Sequence, residues 1–214
     1  MSMKQRGIRN DASLRRGRPC REPKESVLIV CDGKKTEIDY FESFRSREIP
    51  LAIQSAGAAD PKAIYRCAKR LARDFDWIWC VFDWDQRGDL EEAVGHTDGS
   101  RQRIQIAYSN PCFEVWYLLH FQELTSFVKD AETVIGKLLQ YIPDYNRSND
   151  YSQQLAKRQE FAFENAQLLW RENIEKWRNR YKNPSTSVDQ LVAFLRKLRG
   201  EKPIAPYTEP FPHP

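Results

Sequence analysis

Ser26–Glu37 reads SVLIVCDGKKTE, and this segment decides the fold. Its apolar run, Val27–Cys31, contains no alternating polar residues, which is typical of a strand covered on both faces in a parallel sheet. The run ends at Asp32 and Gly33, and a helical pattern begins near Thr36, which we expect to cap that helix. Because open α/β folds bind ligands at the carboxyl ends of their strands, Asp32 is predicted to lie at such a site.

A second apolar run, Trp77–Phe82, ends in a similar way at Asp83-Trp84-Asp85. Side chains alternate along a strand, so Asp83 and Asp85 are expected to point the same way. Two carboxylates in one crevice repel each other unless a cation lies between them. Mg²⁺ takes oxygen ligands of this kind, and Asp32 on the neighbouring strand completes a candidate metal cluster. The alternative is that these aspartates only form turns, where Asp is common.

Two lysines, Lys34 and Lys35, follow Gly33 directly. Beside the acidic strand ends they are candidates for phosphate binding, and the alternative is that they are solvated loop residues. The Gly-Lys pair does not form a nucleotide-binding P-loop, since that motif needs an earlier glycine where this chain has Leu28.

Strand and helix patterns alternate as far as residue 108. The predicted strands are 26–31, 51–54, 77–82 and 104–108, and the predicted helices between them are 36–44, 61–74 and 88–93. This order, with short loops, predicts an α/β fold with a parallel sheet flanked by helices. After Pro111 the patterns are helical, at 113–120, 127–141, 152–181 (one helix or two) and 187–198.

The chain is therefore expected to have four parts. They are a basic flexible arm at 1–23, an α/β core at 24–124, a helical extension packed on that core at 125–200, and a Pro-rich tail at 201–214.

Composition excludes several classes of protein. With 41% hydrophobic and 12% aromatic residues, the chain is expected to fold rather than remain disordered. The cysteines are widely separated and form no C-x-x-C pair, which argues against structural zinc and a disulfide framework. We see no signal peptide and no membrane-spanning segment, so a cytoplasmic protein with no membrane partner is expected.

The positive charge is concentrated at the N-terminus. Residues 1–23 carry seven Lys or Arg and two acidic residues, a charge of +5, whereas the remaining 27 basic and 28 acidic residues give −1. Such an arm, with Arg15, Arg16 and Arg18, is a candidate nucleic-acid clamp through phosphate neutralisation. The alternative is a solvated tail.

Four motifs resemble those of the RloB-like proteins: VLIVCDGKKTE at 27–37, VFDWD at 81–85, SNPCFEVWYLLHF at 109–121 and NPSTSV at 183–188. RloB-like proteins are bacterial, are associated with restriction and abortive-infection loci, and often stand beside an ATPase partner. They are similar to the Toprim domains of topoisomerases, primases and related nucleases. The resemblance therefore implies a Toprim-like sheet with a phosphoryl-transfer site that uses Mg²⁺ or Mn²⁺.

The resemblance also implies a set of site residues. Asp32 stands where Toprim domains have a glutamate, and Asp83 and Asp85 match the acidic pair, so these three are the expected metal ligands. Glu37 matches a second glutamate of the RloB pattern, and Glu114 matches the glutamate of the Asn-Pro-x-Phe-Glu segment. All five are candidate catalytic residues.

The aspartate at position 32 is a departure from the Toprim pattern. It is one methylene shorter than glutamate, which draws the carboxylate back by about 1.5 Å. The glutamate at this position is the general acid or base of Toprim chemistry, so the change is expected to weaken catalysis more than metal binding. Glu37 or Glu114 are candidates to compensate for it, and a catalytically degenerate protein is the alternative.

Other residues near these motifs have simpler interpretations. Glu114 is also suited to the first turn of a helix, where an acidic residue is favourable. Asn110 is predicted to cap the same helix, with Pro111 at its first position. We expect His120 to be a core histidine rather than a catalytic base, and Trp84 to be a core residue.

The leading hypothesis is a metal-dependent nuclease that hydrolyses phosphodiester bonds of RNA or DNA in anti-phage defence. The alternative is a regulatory or binding subunit that keeps the fold without hydrolysis and docks an ATPase or a second copy of the chain through helices 125–198. A nucleotide-binding sensor is a third, weaker hypothesis.

Overall fold

The computed structural model describes residues 24–57, 60–84, 103–177 and 182–204. Several predictions fall outside the described residues: the basic arm with Arg15, Arg16 and Arg18, the aspartate Asp85, the short helix at 88–93, and the tail from residue 205.

The first half of the described chain contains four strands and the helices that connect them. The second half is mostly helical and contains one short strand. The strands are β1 (Val27–Cys31), β2 (Leu51–Ser55), β3 (Trp77–Asp83), β4 (Arg103–Asn110) and β5 (Ser185–Thr186). The helices are α1 (Thr36–Glu42), α2 (Pro61–Leu71), α3 (Glu114–Leu119), α4 (Ala131–Leu138), α5 (Ser152–Ala156), α6 (Gln159–Trp177) and α7 (Val188–Leu198), and a 3-10 turn (Ala72–Asp74) follows α2. None of the helices in the described part of the chain has both the length and the apolar character needed to cross a bilayer.

The strands form one sheet in the order β2-β1-β3-β4-β5. The first four are parallel, so that Val27 of β1 lies between Leu51 of β2 and Trp77 of β3. This mostly parallel sheet, flanked by helices, confirms the predicted α/β fold and is consistent with a Toprim-like fold.

The fifth strand was not predicted, since the strand patterns end at residue 108 and only helices were expected after Pro111. Ser185 and Thr186 pair in antiparallel fashion with Asn110 and Ser109 at the carboxyl end of β4. A strand of two residues has no measurable periodicity, and for this reason the pattern does not indicate it.

Both faces of the sheet are covered, as the uniformly apolar β1 predicts. Val27, Ile29 and Cys31 pack in a cluster with α1 and the later helices, whereas Leu28 and Val30 pack in a second cluster with α2. Successive side chains of a strand point to opposite faces, so each face of β1 needs its own apolar contacts.

The C-terminal helices pack on the first of these faces. A single hydrophobic cluster contains residues of β1, β3, α1 and every helix from α3 to α7. Trp116 of α3 is fully buried, and its ring meets Phe163 of α6 edge to face at 5.8 Å between centroids. The helices after residue 124 therefore share a core with the sheet.

Two predicted helix caps are wrong. Thr36 lies inside α1, where Lys35 is the N-cap, and the Thr36 hydroxyl instead donates a hydrogen bond to the carbonyl of Arg147 at 3.3 Å. Asn110 ends β4, and α3 begins only after Phe113. The main chain of Asn110 pairs with β5, which keeps it in the sheet.

Candidate acidic site at the carboxyl edge of the sheet

Four of the predicted acidic residues come together where β1 and β3 end. Asp32 follows β1, Asp83 ends β3, Glu37 lies in the first turn of α1, and Glu114 begins α3. The negative charges of Asp32, Glu37 and Glu114 all act to raise the pKa of Asp83. Asp85, the fifth, lies outside the described residues.

Asp32 ties the two strand ends together. One carboxylate oxygen, Oδ1, accepts the backbone N–H of Gly33 at 2.6 Å, and the other, Oδ2, accepts that of Asp83 at 2.9 Å. Burial raises the pKa of Asp32, while these two backbone hydrogen bonds act to lower it. Each oxygen keeps a second lone pair, so the carboxylate can still accept from a further group.

Glu37 lies directly against the main chain of Gly33. A Cβ on Gly33 would lie within 2.7 Å of Glu37 Oε1 and still closer to Oε2, so only glycine leaves room for this carboxylate. The Glu37 side chain is buried, and burial followed by the charge of Asp32 raises its pKa to about 7. Glu37 can therefore exist in both protonation states near neutral pH.

Asp83 is the least satisfied carboxylate of the group. Its Oδ1 is buried and accepts no hydrogen bond from any of the described residues. Burial, followed by the charges of Asp32, Glu37 and Glu114, raises the pKa of Asp83 well above its usual range. A buried polar atom without a partner is costly, which makes this oxygen a position where a cation or a donor would be stabilising.

Glu114 differs from the other three because it has a cationic partner. Only 2% of the Glu114 side chain is exposed. Its Oε1 accepts from Arg147 Nε at 2.5 Å and from the Tyr145 hydroxyl at 3.0 Å, and its Oε2 accepts from Arg147 Nη2 at 3.1 Å. Burial acts to raise the pKa of Glu114, but the hydrogen bonds and charge of Arg147 outweigh it, and the pKa is lowered.

Sequence reasoning missed Arg147 and Tyr145, which lie in the polar loop 143–151 between α4 and α5. The only available signal was indirect. An acidic residue at the head of the apolar helix 114–119 is buried, and a buried charge needs a partner of opposite charge. The sequence does not show which distant arginine supplies it.

The two loop lysines beside the site are exposed. Lys35 forms an ion pair with Asp39, with 2.6 Å between Nζ and Oδ2, and Lys34 lies next to it on the surface. Their predicted contact with phosphate stays a prediction.

His120 is a core residue, as predicted, and Trp84 packs at the margin of the core. His120 is completely buried, its Nδ1 lies 2.8 Å from the carbonyl oxygen of Trp116, and burial lowers its pKa to about 4. Trp84 is partly buried and meets Tyr108 edge to face at 5.6 Å between centroids.

The donor set suits a divalent cation that keeps most of its water. Mg²⁺ is commonly held by one or two carboxylates and completes its shell with water and phosphate oxygens. Asp83 Oδ1 has no hydrogen-bond partner among the described residues, and Asp32 keeps spare lone pairs, so both could serve as ligands. Within residues 24–57, 60–84, 103–177 and 182–204, no three Asp, Glu, His or Cys side chains form a group that could hold a metal ion by themselves.

The fold and the site define a class, that of α/β proteins with an acidic cluster at the carboxyl edge of a parallel sheet. The family model for RloB-like proteins matches residues 27–195, which is well over half of the chain. The protein belongs to the RloB-like family. No curated protein and no solved structure is similar enough to count as a match.

Proposed function

We propose that this protein is a metal-dependent nuclease that hydrolyses phosphodiester bonds of RNA or DNA in bacterial anti-phage defence. The observation that carries the proposal is the buried carboxylate of Asp83, which stands among three other carboxylates and has one oxygen that accepts no hydrogen bond from the described residues. Like charges are brought together at this cost mainly where a cation or a reaction requires them.

Asp83 and Asp32 are the proposed ligands of Mg²⁺ or Mn²⁺, with Asp85 as a third proposed ligand. When bound, such an ion neutralises phosphate charge and lowers the pKa of a coordinated water.

Glu37 is the proposed proton-transfer residue. With its pKa near 7, the carboxylate can accept a proton from an attacking water and release it again at neutral pH. Asp32 is less suited to this role, because both of its oxygens already accept backbone N–H groups. With proton transfer assigned to Glu37 and metal binding to Asp32, the site would not need the longer glutamate that Toprim domains have at position 32.

The test is a cleavage assay with the full-length protein on plasmid DNA and on tRNA, with Mg²⁺, with Mn²⁺ and with EDTA. We expect cleavage of at least one substrate that depends on the metal and falls by at least about 100-fold in Asp83→Asn. Asp74→Asn is the matched control, because Asp74 is exposed in the turn before β3, at the opposite edge of the sheet. Equal activity in Asp83→Asn and Asp74→Asn would contradict the proposal.

A second candidate function is a regulatory or binding subunit of a defence complex, with an ATPase or a second copy of the chain as its partner. It is favoured by the aspartate at position 32, which stands where Toprim domains have a glutamate and whose two oxygens both accept backbone N–H groups. Under this alternative, wild type and Asp83→Asn are equally inactive on both substrates, and both bind the partner with equal affinity.

A further inference from the structure

We propose that Arg147 is the phosphate-binding residue of the acidic site and contacts the backbone of the nucleic acid, and that Glu114 and Tyr145 are positioning residues that hold it there. The inference rests on the proposed function, since it assigns a substrate contact to that same site. Its test, binding of nucleic acid, does not require cleavage.

The Arg147–Glu114 ion pair is unequal in exposure. The Glu114 side chain is 2% exposed, whereas the Arg147 side chain is 54% exposed. The carboxylate is thus fixed in the core and the guanidinium lies at the surface above it. Because the guanidinium is at the surface and still hydrated, it can bind a second anion from solvent while it neutralises Glu114.

The guanidinium retains donors that Glu114 does not use. Glu114 takes the Nε–H and one Nη2–H, both on one edge of the guanidinium. The Nη1 group donates no hydrogen bond to any of the described residues. Arginine is well suited to binding a second anion in this way, because its donors are rigid and lie in one plane.

The main chain around Arg147 is held in place before any ligand arrives. Its carbonyl accepts the Thr36 hydroxyl at 3.3 Å. The Tyr151 hydroxyl accepts the N–H of Asn146 at 2.8 Å and donates to the carbonyl of Asp144 at 2.9 Å, which closes the loop on itself. A side chain presented by a preorganised loop loses less entropy when it binds.

The electrostatics of the site require a cation at this position. A phosphodiester is anionic and is repelled by each carboxylate of the site that is ionised. Arg147 lies at this cluster, because its guanidinium binds Glu114 and its carbonyl accepts the hydroxyl of Thr36, the neighbour of Glu37. Its charge acts on Glu37 and Asp83 as well as on Glu114. A phosphate bound to Arg147 would therefore lie at the acidic site, next to Glu114.

The experiment measures binding without cleavage. Full-length protein in an Asp83→Asn background is titrated, in EDTA, against a fluorescein-labelled single-stranded RNA and a DNA duplex of matched length, over a range of salt concentrations. We expect Arg147→Gln to weaken binding about 10-fold and to reduce the slope of log affinity against log salt by about one. Arg73→Gln is the matched control, because Arg73 is exposed at the opposite edge of the sheet.

The positioning role of Glu114 has its own readout. Glu114→Gln should weaken nucleic-acid binding by about 3-fold alone and add almost nothing to Arg147→Gln, because the two act as a unit. The double variant also serves if Arg147→Gln alone fails to fold, since it leaves no unpaired buried charge. Tyr145→Phe removes one hydrogen bond to Glu114. Its effect on nucleic-acid binding should likewise add almost nothing to that of Arg147→Gln.

The outcomes separate this inference from the nuclease proposal. If Arg147→Gln and Arg73→Gln bind both probes equally, or if the parent protein binds neither, the inference is overturned. If the protein cleaves nothing but binding depends on Arg147, the nuclease proposal fails and the inference stands.

Discussion

The carboxylate of Asp32 accepts the backbone N–H of Asp83 at 2.9 Å, across the boundary between β1 and β3. One aspartate of the acidic site is thereby used to hold the other in place. Asp83 itself keeps an oxygen with no hydrogen bond from the described residues. Asp32 therefore stabilises the two strand ends through its hydrogen bonds, whereas Asp83 has an oxygen that remains available to a ligand.

Asp32→Ala should destabilise the protein by about 1–3 kcal/mol, because the N–H groups of Gly33 and Asp83 both lose their acceptor. The loss should exceed any gain from removing one negative charge from the cluster. The measurement is urea unfolding of metal-free protein at pH 7. A variant as stable as wild type would show that water replaces the carboxylate at both amides.

Glu37→Gln should have the opposite effect and stabilise the metal-free protein at pH 8. The pKa of Glu37 is raised from 4.5 to about 7 in the folded state, so the folded protein binds the extra proton more tightly than the unfolded chain. Stability from this group is fully present below pH 4.5 and is lost as the pH rises through about 7.

The expected gain for Glu37→Gln is about 3 kcal/mol at pH 8 and close to zero at pH 4, from about 1.4 kcal/mol per pKa unit. Unfolding by urea at both pH values, in EDTA, provides the measurement. Asp39→Asn, which removes an acidic side chain from the same helix, is the matched control. An equal effect of Glu37→Gln at pH 4 and pH 8 would argue against repulsion as the cause.

Gly33→Ala should cost about 1–2 kcal/mol, because the new Cβ would occupy the space of the Glu37 carboxylate. The same substitution made in Glu37→Ala should cost much less, since the obstructing group is gone. A double-mutant cycle of unfolding free energies tests this directly. If the cost of Gly33→Ala is the same in both backgrounds, the backbone of the loop and not the contact with Glu37 requires glycine.

The sequence alone predicted the parallel sheet because β1 and β3 have no polar alternation. Val27–Cys31 and the run 77–82 are buried on both sides, and such strands are recognised from composition and length. Asp32 and Asp83 could be placed near each other for the same reason, since parallel neighbours end at one edge.

The partner of Glu114 could not be predicted in this way. Arg147 is 33 residues from Glu114 and lies in a loop with no periodicity, so its position depends on how α4 and α5 pack against the core. The short strand β5 could not be predicted either, because two residues are too few to show the alternation of a strand. Long-range contacts of loops are decided by tertiary packing, which local sequence does not encode.

His120 provides a pH-dependent stability that is independent of the acidic site. Burial lowers its pKa to about 4, compared with 6.5 in the unfolded chain, so the unfolded chain takes up a proton first as the pH falls. Stability from this residue is therefore present above pH 6.5 and is lost as the pH falls to about 4. Relative to His120→Gln, wild type should lose about 3 kcal/mol between pH 7 and pH 4, and urea unfolding of both proteins across that range measures the difference. The raised carboxylate pKa values act equally in both proteins and cancel, so parallel pH profiles would mean that His120 takes up its proton as readily in the folded protein as in the unfolded chain.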